Sequence, residues 1–328
     1  VLFFSSTGLV YKEKVWRLPL GTPQSRGKAF VNLLPLQQGE RITSILVLDE
    51  GQQAEDLSLV FATPQGTVRR NKLSDFTQIN RNGKIAMKFS EEGDEILSVA
   101  ICREDDDIVL ATAFGRGVRF SVKELRIFSS RNSYGVRGIR LAAGDKVISM
   151  AVLNGVQATA EERVAYLKRS IAERSALPAD GAGGEEDIAQ ELEEEALEVT
   201  TLSDARYEQM KAKEQILLVV SSFGYGKRCS SYNFSCSHRG IKGYKIADTS
   251  KLKETGEVVA LFPVLPDSEV LLVSDGGQLI RMGVQDIRQA GRTAKGVRIF
   301  RPHKEERVVS VECILEGDST EEQETNEG

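Results

Sequence analysis

A pattern of about 50 residues recurs along this chain, and it restricts the possible folds more than any single motif does. An apolar strand, a glycine-containing turn and a basic strand appear as VLFFSSTGLVYK, LVFATPQGTVRR, IVLATAFGRGVRF, ILLVVSSFGYGKR and VLLVSDGGQLIR, starting at Val1, Leu59, Ile108, Ile216 and Val270. About 20 residues on comes a second landmark: SRGKAFVNL, RNGKIAMKF, YGVRGIRL, HRGIKGYKI and TAKGVRIF. A turn and an alternating apolar strand close each copy: GERITSILVL, GDEILSVAI, GDKVISMAV, GEVVALFPV and EERVVSVECI. If Val31, Met87, Ile139, Tyr244 and Val297 are equivalent, the steps are 56, 52, 105 and 53 residues, so one gap is two periods long.

These units are short, alternate with period two and are bounded by Gly, Asp and Asn turns, which predicts strands. One unit of about four strands is too small to bury a core alone. The predicted fold is therefore all-β: a propeller-like array of five visible four-stranded blades, whose radial packing protects strand edges. Blades are expected over 1–154 and 214–315, with an insertion at 155–213 and an acidic tail at 316–328. In the insertion, Thr159 precedes Glu162 by three residues and Val164, Leu167 and Ile171 have helical spacing, which predicts a capped helix over 159–176. PADGAGG at 178–184 reads as a linker, and 203–215 is rich in helix formers. The insertion is expected to be partly disordered and the tail disordered.

Charge is segregated. Residues 185–198 hold eight acids and no base, and 316–328 hold six acids and no base. Taking those fourteen acids out of a net charge of −5 leaves the other 301 residues at +9, so the repeats themselves are basic. The cations recur at one phase. Arg26, Arg81, Arg131, Arg239 and Arg292 open the second-landmark turns, and Lys28, Lys84, Arg137, Lys242 and Lys295 follow. Lys88, Arg140, Lys245 and Arg298 are then predicted to share one outward strand position, with Asn32 as the uncharged exception. Lys227 and Arg228, in SFGYGKR, complete the candidate set. One such turn alone reads as solvated surface. Five in phase on a repeat array read as a basic band that contacts a phosphate backbone through counterion release, with little base readout. A propeller used as a protein-interaction platform, and a repeat with no ligand, are the alternatives from other classes.

No catalytic centre emerges. GYGK at 224–227 and GIKG at 240–243 lack the GxxxxGK[ST] spacing and no helix pattern follows them. Asp105, Asp106 and Asp107 sit in a turn. The two histidines, His238 and His303, have no recurring partner, and the four scattered cysteines lack metal-ligand spacing. Cys229 and Cys236 are expected to be ordinary residues of a reducing compartment. No run of 18 apolar residues and no signal peptide is present, so the chain is expected to be a cytoplasmic, nucleoid-associated segment of a longer protein, with no membrane partner.

SRGKAFVNLLPLQQGERITSIL (25–46), SYGVRGIRLAAGDKVIS (133–149), SFGYGKR (222–228) and TAKGVRI (293–299) resemble the C-terminal domain of DNA gyrase A subunits, over nearly the whole chain outside 155–213. Topoisomerase IV carries a related, more degenerate domain on its own A subunit, and it is the second choice. The resemblance implies a six-bladed β-pinwheel that wraps double-stranded DNA around a basic perimeter in support of ATP-driven negative supercoiling. It also implies a heterotetramer in which two gyrase A subunits join two gyrase B subunits. Catalytic tyrosine, ATP and magnesium would belong to the wider enzyme, leaving no catalytic residue, metal or cofactor in this chain. The family's gyrase box, of the form QRRGGKG, belongs to a first blade that would precede Val1; HRGIKG is the nearest spelling here.

Overall fold

The computed structural model describes residues 1–21, 26–48, 56–130, 133–175 and 201–314. The acidic runs at 185–198 and 316–328, the 178–184 linker and Arg131 lie outside them. Each repeat opens with a hairpin whose turn is set by a Ser or Thr three residues before a glycine. The glycine N–H donates to the carbonyl of Ser5, Thr63, Thr112, Ser221 or Ser274 at 2.9–3.0 Å. In four repeats the hydroxyl also accepts the backbone N–H one residue past the glycine. Glycine is required because the position has positive φ, +73 to +85° in all five copies.

The first repeat contributes β1 (Leu2–Ser5), β2 (Leu9–Lys12) and β3 (Ile42–Leu46). The second contributes β4 (Ser58–Ala62), β5 (Thr67–Lys72), β6 (Lys84–Ile85) and β7 (Ser98–Cys102), and the third β8 (Asp107–Thr112), β9 (Arg116–Ser121), β10 (Val136–Arg137) and β11 (Val147–Leu153). The fourth has β12 (Ile216–Ser221), β13 (Tyr225–Ser230), β14 (Tyr244–Lys245) and β15 (Val258–Val264). The fifth has β16 (Glu269–Ser274), β17 (Leu279–Gly283), β18 (Val297–Arg298) and β19 (Val308–Ile314).

The sheets do not coincide with the repeats. Their orders are β3-β1-β2-β6, β10-β5-β4-β7, β11-β8-β9-β14, β15-β12-β13-β18 and β17-β16-β19. Four sheets thus take their fourth strand from the next repeat, and the fifth has three strands. The five sheets are the five expected blades; the exchange of a strand between repeats, and the three-stranded fifth sheet, are what the sequence pattern did not show. In the first repeat the same landmark holds a 3-10 turn, Phe30–Asn32, and no strand.

Exchange also corrects the register across repeats. Met87 and Ile139 donate from their N–H to the carbonyls of Gly8 and Gly66, and Phe300 donates to that of Gly224. Phe300, not Val297, is therefore level with Met87 and Ile139. The strings were misaligned by three residues because GVRGIR repeats its own glycine-apolar-cation pattern.

The chain forms two compact units: Val1–Gln157 with Ser235–Tyr244, and Ala158–Phe234 with Lys245–Gly328. In the first, alternate residues of β4 face different neighbours. Leu59 and Phe61 pack with Leu2, Phe4 and Phe76, while Val60 and Ala62 pack with Ile108, Leu110 and Phe120. Every residue of β4 and β8 is consequently buried, and both carry a continuous apolar stretch, LVFA and IVLA. In the second unit Leu218 and Val220 pack against Val270 and Leu272.

The second unit also holds α1 (Ala160–Ser175) and α2 (Asp204–Lys211). The predicted capping box is formed. Glu162 N donates to Thr159 Oγ1 at 3.2 Å and Thr159 N to Glu162 Oε2 at 3.0 Å. Arg206 of α2 grips the same Glu162 carboxylate with two bonds of 2.9 Å. Val164, Leu167, Tyr166, Tyr207 and Met210 are buried beneath the helices. No helix among the described residues is long and apolar enough to cross a membrane. Cys102 and Cys229 are buried and Cys236 is exposed, all as thiols.

Candidate nucleic-acid interface

A glycine starts each exchanged strand because the strand lies directly on the preceding hairpin. A Cβ on Gly243 would stand 2.1 Å from the carbonyl oxygen of Gly117, and its φ is +69°. Counting from this glycine places the cations. Arg137 and Arg298 pair with the residues just after the hairpin glycines, Thr67 and Tyr225. Lys245 follows Gly243 as Arg137 follows Gly135, and in the second repeat the place is held by Ile85. Lys88 and Arg140 are not level with Lys245 and Arg298, as the sequence had predicted, but three residues further along. Arg301 shares that later place and Asp248 interrupts it.

Arg26, Lys28, Arg81, Lys88, Arg137, Arg140, Lys242, Lys245 and Arg298 are all exposed. Arg298 lies over the Tyr225 ring at 4.5 Å and donates to its hydroxyl at 2.8 Å. The same ring carries Lys295 at 4.8 Å. The Arg298 bond, with both positive charges, holds the Tyr225 phenol below its ordinary pKa. Lys295 is half-buried and bonded to Glu254 at 2.8 Å; Lys84 is half-buried with its ammonium on the Gln78 carbonyl at 3.3 Å.

Other cations of the basic strings face inward. Lys227 is only 3% exposed, and its ammonium donates to the carbonyls of Arg292 and Ala294, the latter at 2.6 Å. Arg69, the same number of residues past its hairpin glycine, is fully buried and reaches the carbonyls of Ser130 and Ser133 in the turn before β10. One residue later comes a second structural position. Half-buried Arg228 bonds the carbonyls of Ile287 and Gln285, Arg119 forms a buried ion pair with Asp107 at 2.7 Å, and Arg281, though exposed, pairs with Glu269. The placement of Lys227 and Arg228 thus departs from the reading of them as phosphate contacts: a buried cation such as Lys227 must be satisfied, and it and the half-buried Arg228 donate to carbonyls of the following turn.

Arg239 and Arg292 also hold backbone. Arg239 Nη1 donates to the Arg137 carbonyl at 3.0 Å and Arg292 Nη1 to the Lys245 carbonyl at 2.5 Å. Each opening arginine reaches back to the cation-bearing strand one repeat earlier. Among the exposed cations the sequence reading missed are Arg301, and Arg116 at the start of β9, whose guanidinium lies 3.5 Å from the Gly243 carbonyl. Counting from the glycine before each exchanged strand finds Arg301. Nothing local marks Arg116.

The family model described as "DNA gyrase C-terminal domain, beta-propeller" matches residues 1–49, 58–103, 106–154, 215–265 and 268–314. The DNA gyrase A subunit of Granulibacter bethesdensis is 46% identical over 331 residues, covering 98% of this chain and 34% of the relative. That of Rickettsia bellii is 42% identical, covering 99% and 35%. The chain therefore spans about a third of the length of these relatives. A solved DNA gyrase A C-terminal domain superposes with a TM-score of 0.66 at 20% identity, covering 96% of this chain and 82% of that one. A topoisomerase IV C-terminal domain gives 0.68 at 16%, covering 95% and 78%. At these identities the two structures report the fold alone, whereas the family model and the full-coverage relatives both point to gyrase A. With its exchanged all-β repeats and outward cations, the chain belongs to the family of DNA gyrase C-terminal domains with the β-propeller fold.

Proposed function

We propose that this chain binds and wraps double-stranded DNA as the noncatalytic C-terminal part of a gyrase A subunit. One observation carries the reading: successive exchanged strands present an exposed cation at one register place, Arg137, Lys245 and Arg298, with Lys88, Arg140 and Arg301 three residues further on. Such spacing suits a phosphate backbone, because every neutralised phosphate releases counterions and no base edge is read. Bending 20 to 30 base pairs by 40 to 90° costs about 1–6 kcal/mol. Many dispersed contacts offset that cost better than one strong site. Arg26, Lys28, Arg81, Lys84, Lys242 and Lys295 extend the surface.

In the intact enzyme the wrapped DNA would be handed to a breakage and reunion domain for ATP-dependent negative supercoiling. Gyrase B subunits, together with a second gyrase A chain, would complete the assembly, with ATP and magnesium held outside this chain, in the bacterial cytoplasm. Affinity for a linear duplex measured against salt tests the binding step. Replacing Lys88, Arg137, Arg140 and Lys242 together by Ala is expected to lower the slope of log affinity against log salt by roughly three to four. A linking-number shift in closed circular DNA relaxed in the presence of the chain tests wrapping. Salt-independent affinity, or no change of slope in the fourfold variant, would overturn the reading.

A further inference from the structure

The turns before β10 and β18 are each held from beneath by a buried cation, Arg69 on Ser130 and Ser133, and Lys227 on Arg292 and Ala294. The equivalent residue beneath the turn before β14 is Val118, which has nothing to donate. That turn contains SHRGIKG, with Arg239 and Lys242, and a different group grips it. Glu124, in the 3-10 turn after β9, accepts the Arg239 N–H on Oε2 at 3.0 Å. Its Oε1 lies 3.0 Å from Nδ1 of His238, and its carbonyl accepts from Arg239 Nε at 3.3 Å.

The contacts continue outward from that anchor. Arg239 Nη1 bonds the Arg137 carbonyl, Gly240 N donates to the Gly138 carbonyl at 2.6 Å and Arg140 N to the Ile241 carbonyl at 2.8 Å. Arg239, whose backbone the Glu124 carboxylate holds, thus connects the loop bearing Lys242 to the segment bearing Arg137 and Arg140. We propose that Glu124 is a positioning residue for DNA binding, which anchors the 237–243 turn through Arg239 and so sets the places of Lys242, Arg137 and Arg140. This rests on the DNA-binding reading above. The carboxylate touches no phosphate in this scheme. It acts through the arginine, and the arginine acts through backbone carbonyls.

The sign of the effect separates this role from simple electrostatics. Removing a negative charge from a surface that binds a polyanion ordinarily tightens binding. Loss of a positioning carboxylate loosens it, because the cations must then be ordered on each encounter. Glu124→Ala and the milder Glu124→Gln would be compared with the unaltered 328-residue chain for affinity to a linear duplex and for amide exchange at Arg239 and Gly240. The expected result for Glu124→Ala is an affinity loss of about five- to tenfold with faster exchange at both amides, and a smaller loss for Glu124→Gln. Tighter or unchanged binding, or unchanged exchange, would overturn the proposal. If the unaltered chain fails to bind DNA, the functional reading falls, and exchange alone decides whether Glu124 anchors the turn. Arg239→Lys separates anchor from contact. It keeps the charge but loses the two-carbonyl geometry, so it is expected to bind about as weakly as Arg239→Ala. Full affinity in Arg239→Lys would make Arg239 a phosphate contact and also overturn the proposal.

Discussion

Lys295 and Lys227 both belong to basic strings, yet their surroundings give them opposite roles. Lys295 is paired with Glu254, whose side chain is well exposed. Glu254→Gln removes a local competitor for phosphate, and duplex affinity is expected to rise about twofold at low salt, an effect that fades as salt screens it. A titration at two salt concentrations checks this. Lys227 is enclosed and satisfies two carbonyls. Its replacement by Ala is expected to cost about 2 kcal/mol of stability, because unmade bonds of buried carbonyls are expensive. Chemical denaturation measures that loss, and a variant with full stability but weakened DNA binding would restore Lys227 as a phosphate contact.

At the scale of the element, the exchanged strand is the vulnerable part. Two residues of pairing, such as Val136–Arg137 on Val68 and Thr67, leave little redundancy. Gly243→Ala would drive a methyl against the Gly117 carbonyl at a φ of +69°, costing about 1–3 kcal/mol for the strained conformation and displacing the basic turn with it. The expected outcome is a lowered melting temperature together with weakened DNA binding, whereas Lys242→Ala is expected to lose only the binding. Thermal unfolding of the two variants side by side checks the distinction. The helices carry a separate test. Thr159→Ala removes the cap on Glu162 N and is expected to cost about 1 kcal/mol without changing duplex affinity.

For the whole molecule, buried tyrosines bonded to carboxylates, Tyr11 in the first repeat and Tyr166 and Tyr207 on the inserted helices, predict a pH dependence. Burial followed by bonding to Glu40 pushes the Tyr11 phenol up to about 12, and burial followed by bonding to Glu173 does the same for Tyr207. Burial also raises Tyr166, aided by Glu214. A phenol that holds its proton more tightly when folded contributes stability below its unfolded pKa near 10 and loses that contribution as pH rises toward 12. Stability is therefore expected to fall between about pH 10 and 12, with phenolate absorbance appearing with unfolding. Normal titration of these tyrosines in the folded chain would contradict the assignment. The turn carboxylates recur in similar fashion: Glu40 takes bonds from Thr7 and Tyr11, Asp145 from Phe114 N and Glu306 from Ser274. They account for the GE, GD and EE spellings of the third landmark in the first, third and fifth copies.

The repeat, the five hairpins, the glycine turns and the capped helix at Thr159 were legible in the amino-acid sequence, because each depends on a few neighbouring residues whose turn or cap chemistry is local. So was the basic character of the repeats. Which repeat each short strand joins, and therefore which cations face outward, was settled by folding and not by local pattern. Val136 pairs with Val68 and Arg298 with Tyr225 across about 70 residues of chain, a choice no local pattern encodes. From that exchange follows the sorting of Arg69 and Lys227 into buried supports, of Arg239 and Arg292 into backbone staples, and of Arg137, Lys245 and Arg298 to exposed places at one register position of their strands. Charge is legible from residue type, but its availability depends on the carbonyls that folding brings within reach.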